Sequence, residues 1–288
     1  MTNFKKLISL ALIIGLVVSF TACGNSSSKA DEKETVRILY GNWVENIAYS
    51  YLSKVALEEQ GFEVELTNLE PGLIFGELSK ETSKGDVFMD AWLPNTHADY
   101  WAEYGDKLVR IGESFSEGTT GLVVPSYVTI NSIEELNEHK DKFGGQIIGV
   151  GSGAGIHADT YRAIEAYGLE LEQVTASGPA MVASLQKAAR NKDWIVITGW
   201  KPHLKWIQYD LKYLKDPKGI YPMDVCAIIS RRGFEEDMPK AAVFFKNFNL
   251  TDDQLNDLMG TIEDLGQEAG ARIWYEENKE MVDSWSNN

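Results

Sequence analysis

Short apolar, β-branched runs alternate along this chain with longer stretches whose apolar positions recur every three or four residues. Residues 36–40, apolar apart from Arg37, read as a buried strand. Residues 46–60 place Ile47, Tyr51, Val55 and Leu57 on or near one helical face, and Gly61 stops the helix. Alternation at 62–69 and apolar runs at 87–93 and 122–124 predict strands, and 95–104 predicts a helix. Ser132-Ile133-Glu134-Glu135 reads as the capping-box start of a short helix. The pattern then begins again, with a strand at 146–150, a helix at 156–167 closed by Gly168, a helix at 179–191 and a strand at 195–198. Beyond about Arg231 the period is helical, over 239–248, 252–265 and 267–285. Strand alternating with helix predicts an α/β fold with largely parallel sheets.

The second half repeats the order of the first. A strand, a glycine loop and a helix occur at Tyr40-Gly41-Asn42-Trp43 and again at Val150-Gly151-Ser152-Gly153. Each is followed by a strand ending in a tryptophan, Asp90-Ala91-Trp92-Leu93-Pro94 and Thr198-Gly199-Trp200-Lys201-Pro202. Two such halves predict two similar lobes, 35–125 and 126–230, and a helical segment, 231–288, able to pack back on the first. Ligands of open α/β sheets sit outside the carboxyl ends of strands. A cleft between the lobes would therefore be lined by Trp43, Trp92 and Trp200.

The N-terminus changes the setting. Lys5 and Lys6 precede an apolar stretch at 7–20 and then Phe20-Thr21-Ala22-Cys23, the pattern of an export signal with small residues before the cut. The apolar run is short for a membrane span, which needs roughly 20 residues. Cys23 followed by Gly24 and serines looks like a bacterial lipobox, which implies removal of 1–22 and a diacylglyceryl thioether on Cys23. Residues 23–34 are polar and form a lipidated flexible tether. The expected location is the outer face of the cell membrane, held by lipid only.

Composition removes other classes. The formal charge of -16 argues against nucleic acid, which needs a basic footprint. It argues equally against lying flat on an anionic bilayer. Cys23 and Cys226 are the only cysteines, so there is no disulfide framework and no cysteine metal site; Cys226 reads as a small buried residue of a strand. No metal, cofactor or catalytic residue is expected, and the chain is read as a monomer.

Three indoles at strand ends suit a ligand with a diffuse positive charge and no N–H to donate, such as a quaternary ammonium. Here the resemblance becomes specific. Ala91-Trp92-Leu93-Pro94-Asn95-Thr96-His97, Gly153-Ala154-Gly155-Ile156 and Thr198-Gly199-Trp200-Lys201-Pro202-His203 resemble the binding segments of glycine betaine-binding proteins of ABC importers. The resemblance covers nearly everything from residue 36 to residue 285. It implies a two-lobed fold like that of periplasmic binding proteins, a betaine ligand and an ABC permease partner. It implies a cation box of Trp43, Trp92 and Trp200, and a carboxylate site of His97 and the amides of Gly155 and Ile156. Those amides would open a helix, and a helix N-terminus attracts anions. Leu204 stands where relatives often have another aromatic; Trp206 is close enough in sequence to compensate, and its role stays open. Trp101, Trp194, Trp274 and Trp285 read as packing residues and His139 as solvated; His157 follows Ile156 and could approach the ligand, but its role stays open, as does that of His203.

Other functions fit less of the chain. A choline- or carnitine-preferring protein of the same type is the nearest alternative. Gly149-Val150-Gly151-Ser152-Gly153-Ala154 with Glu170 downstream fits a loose dinucleotide pattern, which would make the chain a secreted nucleotide-dependent enzyme. A glycine loop at a helix start, however, binds any anion. A serine hydrolase on Ser152 fails, because Val150 occupies the first glycine of the nucleophile-elbow pattern. A surface adhesin would explain the anchor and the acidity but not the tryptophans.

Overall fold

The computed structural model describes residues 33–287. The expected signal peptide and Cys23 lie outside the described residues. Thr35–Tyr40 (β1) leads into Val44–Glu59 (α1), Glu63–Asn68 (β2), Pro71–Leu78 (α2), Val87–Leu93 (β3), Ala98–Tyr104 (α3) and Leu108–Pro125 (β4). Gln146–Gly149 (β5), Gly155–Tyr167 (α4), Glu172–Thr175 (β6), Gly178–Asn191 (α5), Ile197–Lys201 (β7), Lys205–Gln208 (α6) and Leu211–Tyr213 (β8) follow. Asp224–Arg231 (β9) precedes Phe234–Asp237 (α7), Pro239–Asn247 (α8), Asp252–Leu265 (α9), Gln267–Glu277 (α10) and Lys279–Ser284 (α11).

The strands make two sheets with one member in common. The first is ordered β2-β1-β3-β9-β4 and the second β4-β7-β5-β6, with β8 also on β4. Parallel pairs join β1 to β2 and β3, and β5 to β6 and β7. β9 and β4 run antiparallel to their neighbours and so occupy the middle of the molecule. The sequence pattern disclosed only 122–124 of the 18-residue β4. Its middle, Glu113-Ser114-Phe115-Ser116-Glu117-Gly118-Thr119-Thr120-Gly121, is too polar to read as a strand. The register slips at Arg110/Gly112, Glu113/Phe115 and Phe115/Gly118. Such bulges bend and twist a strand, and here the bent strand passes from one sheet into the other.

All of β9 but Arg231 falls within 126–230, the stretch expected to form the second lobe, yet its partners are β3 and the first part of β4. The chain therefore crosses between sheets twice, along β4 and again between β8 and β9. The C-terminal helices return to the first sheet, with α9 and α10 packed on α1, and α8 on β4. Leu258, Met259, Ala271 and Trp274 share a core with Leu52, Val55 and Ala56 of α1. Each leucine or valine buried there contributes about 1.5–3 kcal/mol over leaving it in water.

Several local expectations needed correction. Ser132 opens a 3-10 turn at Ile133–Glu135. Its hydroxyl accepts from the Glu134 amide, and Glu135 accepts from the Asn131 amide, so the reciprocal box does not form. The box forms instead at Thr251 and Gln254, opening α9. The helix expected over 267–285 breaks at Asn278. α2 was missed because eight residues beginning with proline show too little of a helical period. Trp274 donates to Asp257 at 2.8 Å, and Trp285 packs on Phe248 at 4.7 Å between ring centroids, as core residues do.

Candidate ligand-binding site

Trp43, Trp92, Trp200, His97, Gly155 and Ile156, far apart in sequence, line one cavity of about 360 Å³ with its mouth included. Trp43 caps α1 in extended backbone, φ -116° and ψ 147°. Its indole lies over Gly41, where an added Cβ would stand 1.7 Å from the ring. Trp92 lies in β3, and its indole N–H donates to Asp90 Oδ1 at 2.9 Å. Trp200 lies in β7 and donates to Glu45 Oε1 at 2.7 Å, a bond from the second lobe to the first turn of α1. The two Trp-x-Pro segments match in backbone too, each with a cis peptide, Leu93-Pro94 and Lys201-Pro202.

Glu45 and Asp90 line the same cavity and were not singled out in the sequence. An acid in a first helical turn is ordinary, so Glu45 carried no signal. Asp90 did carry one, as the only charged residue of the apolar strand Val87–Leu93. Burial, and then Asp90 beside it, push the Glu45 carboxyl up to about 8. Burial pushes Asp90 up to about 7. Glu45 Oε2 and Thr120 Oγ1 have no hydrogen-bond partner. Lys205 is fully buried, its ammonium 3.9 Å from the Trp200 ring centroid and 3.1 Å from the Trp200 carbonyl. Burial lowers the Lys205 pKa well below its usual value.

His97 and the start of α4 line the other end of the cavity. The His97 ring accepts the Trp92 amide on Nδ1 at 2.9 Å, and the His97 amide donates back to the Trp92 carbonyl at 2.9 Å. With Nδ1 accepting, the proton of the neutral ring belongs on Nε2. Burial holds its pKa down to about 3, so the ring is neutral across the physiological range. Phe75 meets it edge-on at 5.5 Å. Asp224 of β9 fixes the turn that carries it, accepting the Asn95 amide at 2.6 Å, the Thr96 amide at 2.9 Å and the Thr96 hydroxyl at 2.6 Å. Opposite stands α4, whose N-cap residue Ala154 offers no side-chain acceptor. The lobes come close here, since a Cβ on Gly155 would lie 2.0 Å from the Thr96 carbonyl oxygen.

The remaining candidates lie elsewhere. His157 is turned to the Val150 carbonyl and to Gln173, at 3.0 and 2.7 Å, and is absent from the cavity lining. His203 meets Trp200 edge-on at 5.0 Å and accepts the Lys205 amide at 3.0 Å. Trp206 does not replace the missing aromatic at Leu204. Its N–H donates to the Trp200 carbonyl at 2.8 Å and its ring packs on Tyr213. His139 packs against Trp194, not solvent alone. Trp43 and Trp200 also border a wider groove with Val182, Leu204, Met259 and Glu263. Among the described residues no cluster of histidine, cysteine or carboxylates could hold a metal ion.

Residues 34–277 match the substrate-binding domain of ABC-type glycine betaine transport systems. The glycine betaine/carnitine transport binding protein of Listeria monocytogenes is 37% identical over 145 residues, 49% of this chain and 48% of that protein. The matched segment thus spans about half the length of that relative. The crystal structure of lactococcal OpuAC, closed and complexed with glycine betaine, superposes with a TM-score of 0.84 at 32% identity, over 88% of this chain and all of that one. The glycine/betaine/L-proline-binding protein of Borrelia burgdorferi gives 0.84 at 33% identity, over 88% and 96%. The two-lobed α/β architecture of these binding proteins is the one described above, and the chain belongs to the family of substrate-binding domains of ABC-type glycine betaine transport systems.

Proposed function

We propose that this protein captures glycine betaine, or a closely related betaine, outside the cytoplasm and delivers it to an ABC permease. The observation that supports this most is a single cavity lined by three indoles, a neutral imidazole and an uncapped helix start. A trimethylammonium against Trp43, Trp92 and Trp200 gains cation–π attraction of about 2 kcal/mol or more where water is excluded. Its carboxylate accepts from His97 Nε2–H and from the amides of Gly155 and Ile156, where the dipole of α4 favours negative charge. The role is binding and transport, with no reaction assigned. Cys23 carries the lipid that holds a monomeric receptor to the outer face of the membrane, and mass spectrometry of the purified protein tests for the diacylglyceryl group.

The test of the ligand is calorimetric titration with glycine betaine and with choline. Choline leaves the anion donors unpaired, which costs roughly 1–3 kcal/mol, so it should bind at least about tenfold more weakly. Equal affinity for the two would refute the carboxylate site.

A further inference from the structure

We propose that Glu45 and Asp90 form a proton site in the wall of the cation box, emptied by the ligand's fixed positive charge, so that solute capture releases about one proton. This rests on the reading that a quaternary ammonium occupies the cavity. The geometry carries the argument. Both carboxyls are buried, both line the cavity, and each has one oxygen bonded to an indole N–H of the box. The second oxygen of Glu45 has no partner at all. Two ionised carboxylates left like this would be poorly solvated and would repel each other, so the empty site retains a proton.

The surrounding groups leave few other places for that charge to change. Glu45 faces Asp90 on β3, Trp200 on β7, Lys205 on α6 and Tyr49 on its own helix. Asp90 faces Trp92, Tyr49 and the Cys226 thiol of β9. Burial raises Tyr49 and Cys226 well above their usual values, which keeps both neutral. Burial also keeps His97 and His203 neutral. Among the groups that face the two carboxyls, only they and Lys205 remain; Asp159 of α4, which burial raises to about 7, faces Arg162, Asp224 and Asp99 instead.

A quaternary ammonium has no proton to lose, and its charge lowers the proton affinity of every group near it. Glu45 and Asp90 line the cavity, and Lys205 lies over the Trp200 ring that forms part of its wall. A proton driven off a carboxyl therefore finds Lys205 a weaker base than before, and it leaves to solvent. The ligand carboxylate acts in the opposite sense on His97, whose pKa of about 3 in the empty site is far from the neutral range.

Glycine betaine titrated into the protein at about pH 7, in buffers of different ionisation enthalpy, reads the protons released directly. The expected result is net release, with affinity rising at least about tenfold between about pH 6 and about pH 8. In the Glu45→Gln, Asp90→Asn double variant, amide oxygens still accept the indole N–H bonds. Binding there should lose its buffer dependence and its pH slope; if the double variant does not fold, each single variant should reduce both. Betaine heat that is identical in every buffer, with a flat pH profile, overturns the proton site and leaves the betaine reading standing. Absence of betaine binding in any buffer overturns both. Release that survives in the double variant and vanishes in Lys205→Met assigns the proton to the lysine and overturns the proposal.

Discussion

At the scale of residues, an indole whose N–H is tied down presents its face without having to be ordered by the ligand. Trp92 and Trp200 are held this way by Asp90 and Glu45, so less conformational entropy would be lost if they bind the proposed ligand. Trp43→Ala, Trp92→Ala and Trp200→Ala should each weaken glycine betaine by at least about tenfold, about 1.4 kcal/mol, in a fluorescence or calorimetric titration. Unchanged affinity in all three would remove the box. His97 makes a second prediction, on stability. Its folded pKa of about 3 lies below the ordinary 6.5, so the unfolded chain binds more protons between those values. Its contribution is fully present above the unfolded pKa and is lost as pH falls through the window. The melting temperature of the wild type should fall relative to that of His97→Gln on acidification from about pH 6.5, with Glu45 and Asp90 acting in the opposite sense on both proteins. The tryptophans were legible because large aromatics stand at strand ends beside glycine loops. Asp90 was legible as the one charge in an apolar strand, but Glu45 was not, because what makes it unusual is burial, and that comes from partners such as Trp200, more than a hundred residues away.

At the scale of elements, the anion end of the cavity depends on how closely two pieces of backbone approach. The start of α4 and the Asn95-Thr96-His97 turn belong to different lobes, and only a residue without a side chain fits between them at Gly155. Gly155→Ala should hold the lobes apart and weaken glycine betaine by at least about tenfold. The far-ultraviolet circular dichroism of the ligand-free protein should remain unchanged. Wild-type affinity in that variant would mean that the lobes do not meet there when ligand is bound. The glycine loops, the long helices and the parallel strands could be read from periodicity and from glycine placement. The Asp224 anchor could not, since a carboxylate at the start of β9 reaches back across the sequence to residues 95 and 96. Nor could the helix at Pro71–Leu78 or the brief β6, which are too short to establish a period.

At the scale of the whole molecule, hydrogen bonds cross the cleft on both rims and through its centre. Tyr100 donates to the Gly153 carbonyl at 3.0 Å, Trp200 to Glu45 at 2.7 Å, and Gln208 to Glu263 at 2.9 Å. The exposed Arg162–Asp99 pair adds little, as surface ion pairs do. A ligand that touched both lobes would bind this joined arrangement best and would shift the population toward it. Small-angle scattering should show compaction at saturating glycine betaine, and Tyr100→Phe should reduce it at sub-saturating ligand. No change in scattering would contradict the closing cleft. The repeat of the two halves announced two lobes, but the strand common to both sheets was hidden by its polar middle. That strand has a consequence for unfolding. If either sheet melted alone, half of β4 would keep its ladder while the other half lost its partners, exposing a row of unpaired peptide groups. The two halves should therefore denature together, in one calorimetric transition whose measured and van't Hoff enthalpies agree. Two resolved transitions would show them to be separate cooperative units. Lobes that close on ligand as two bodies would then unfold as one.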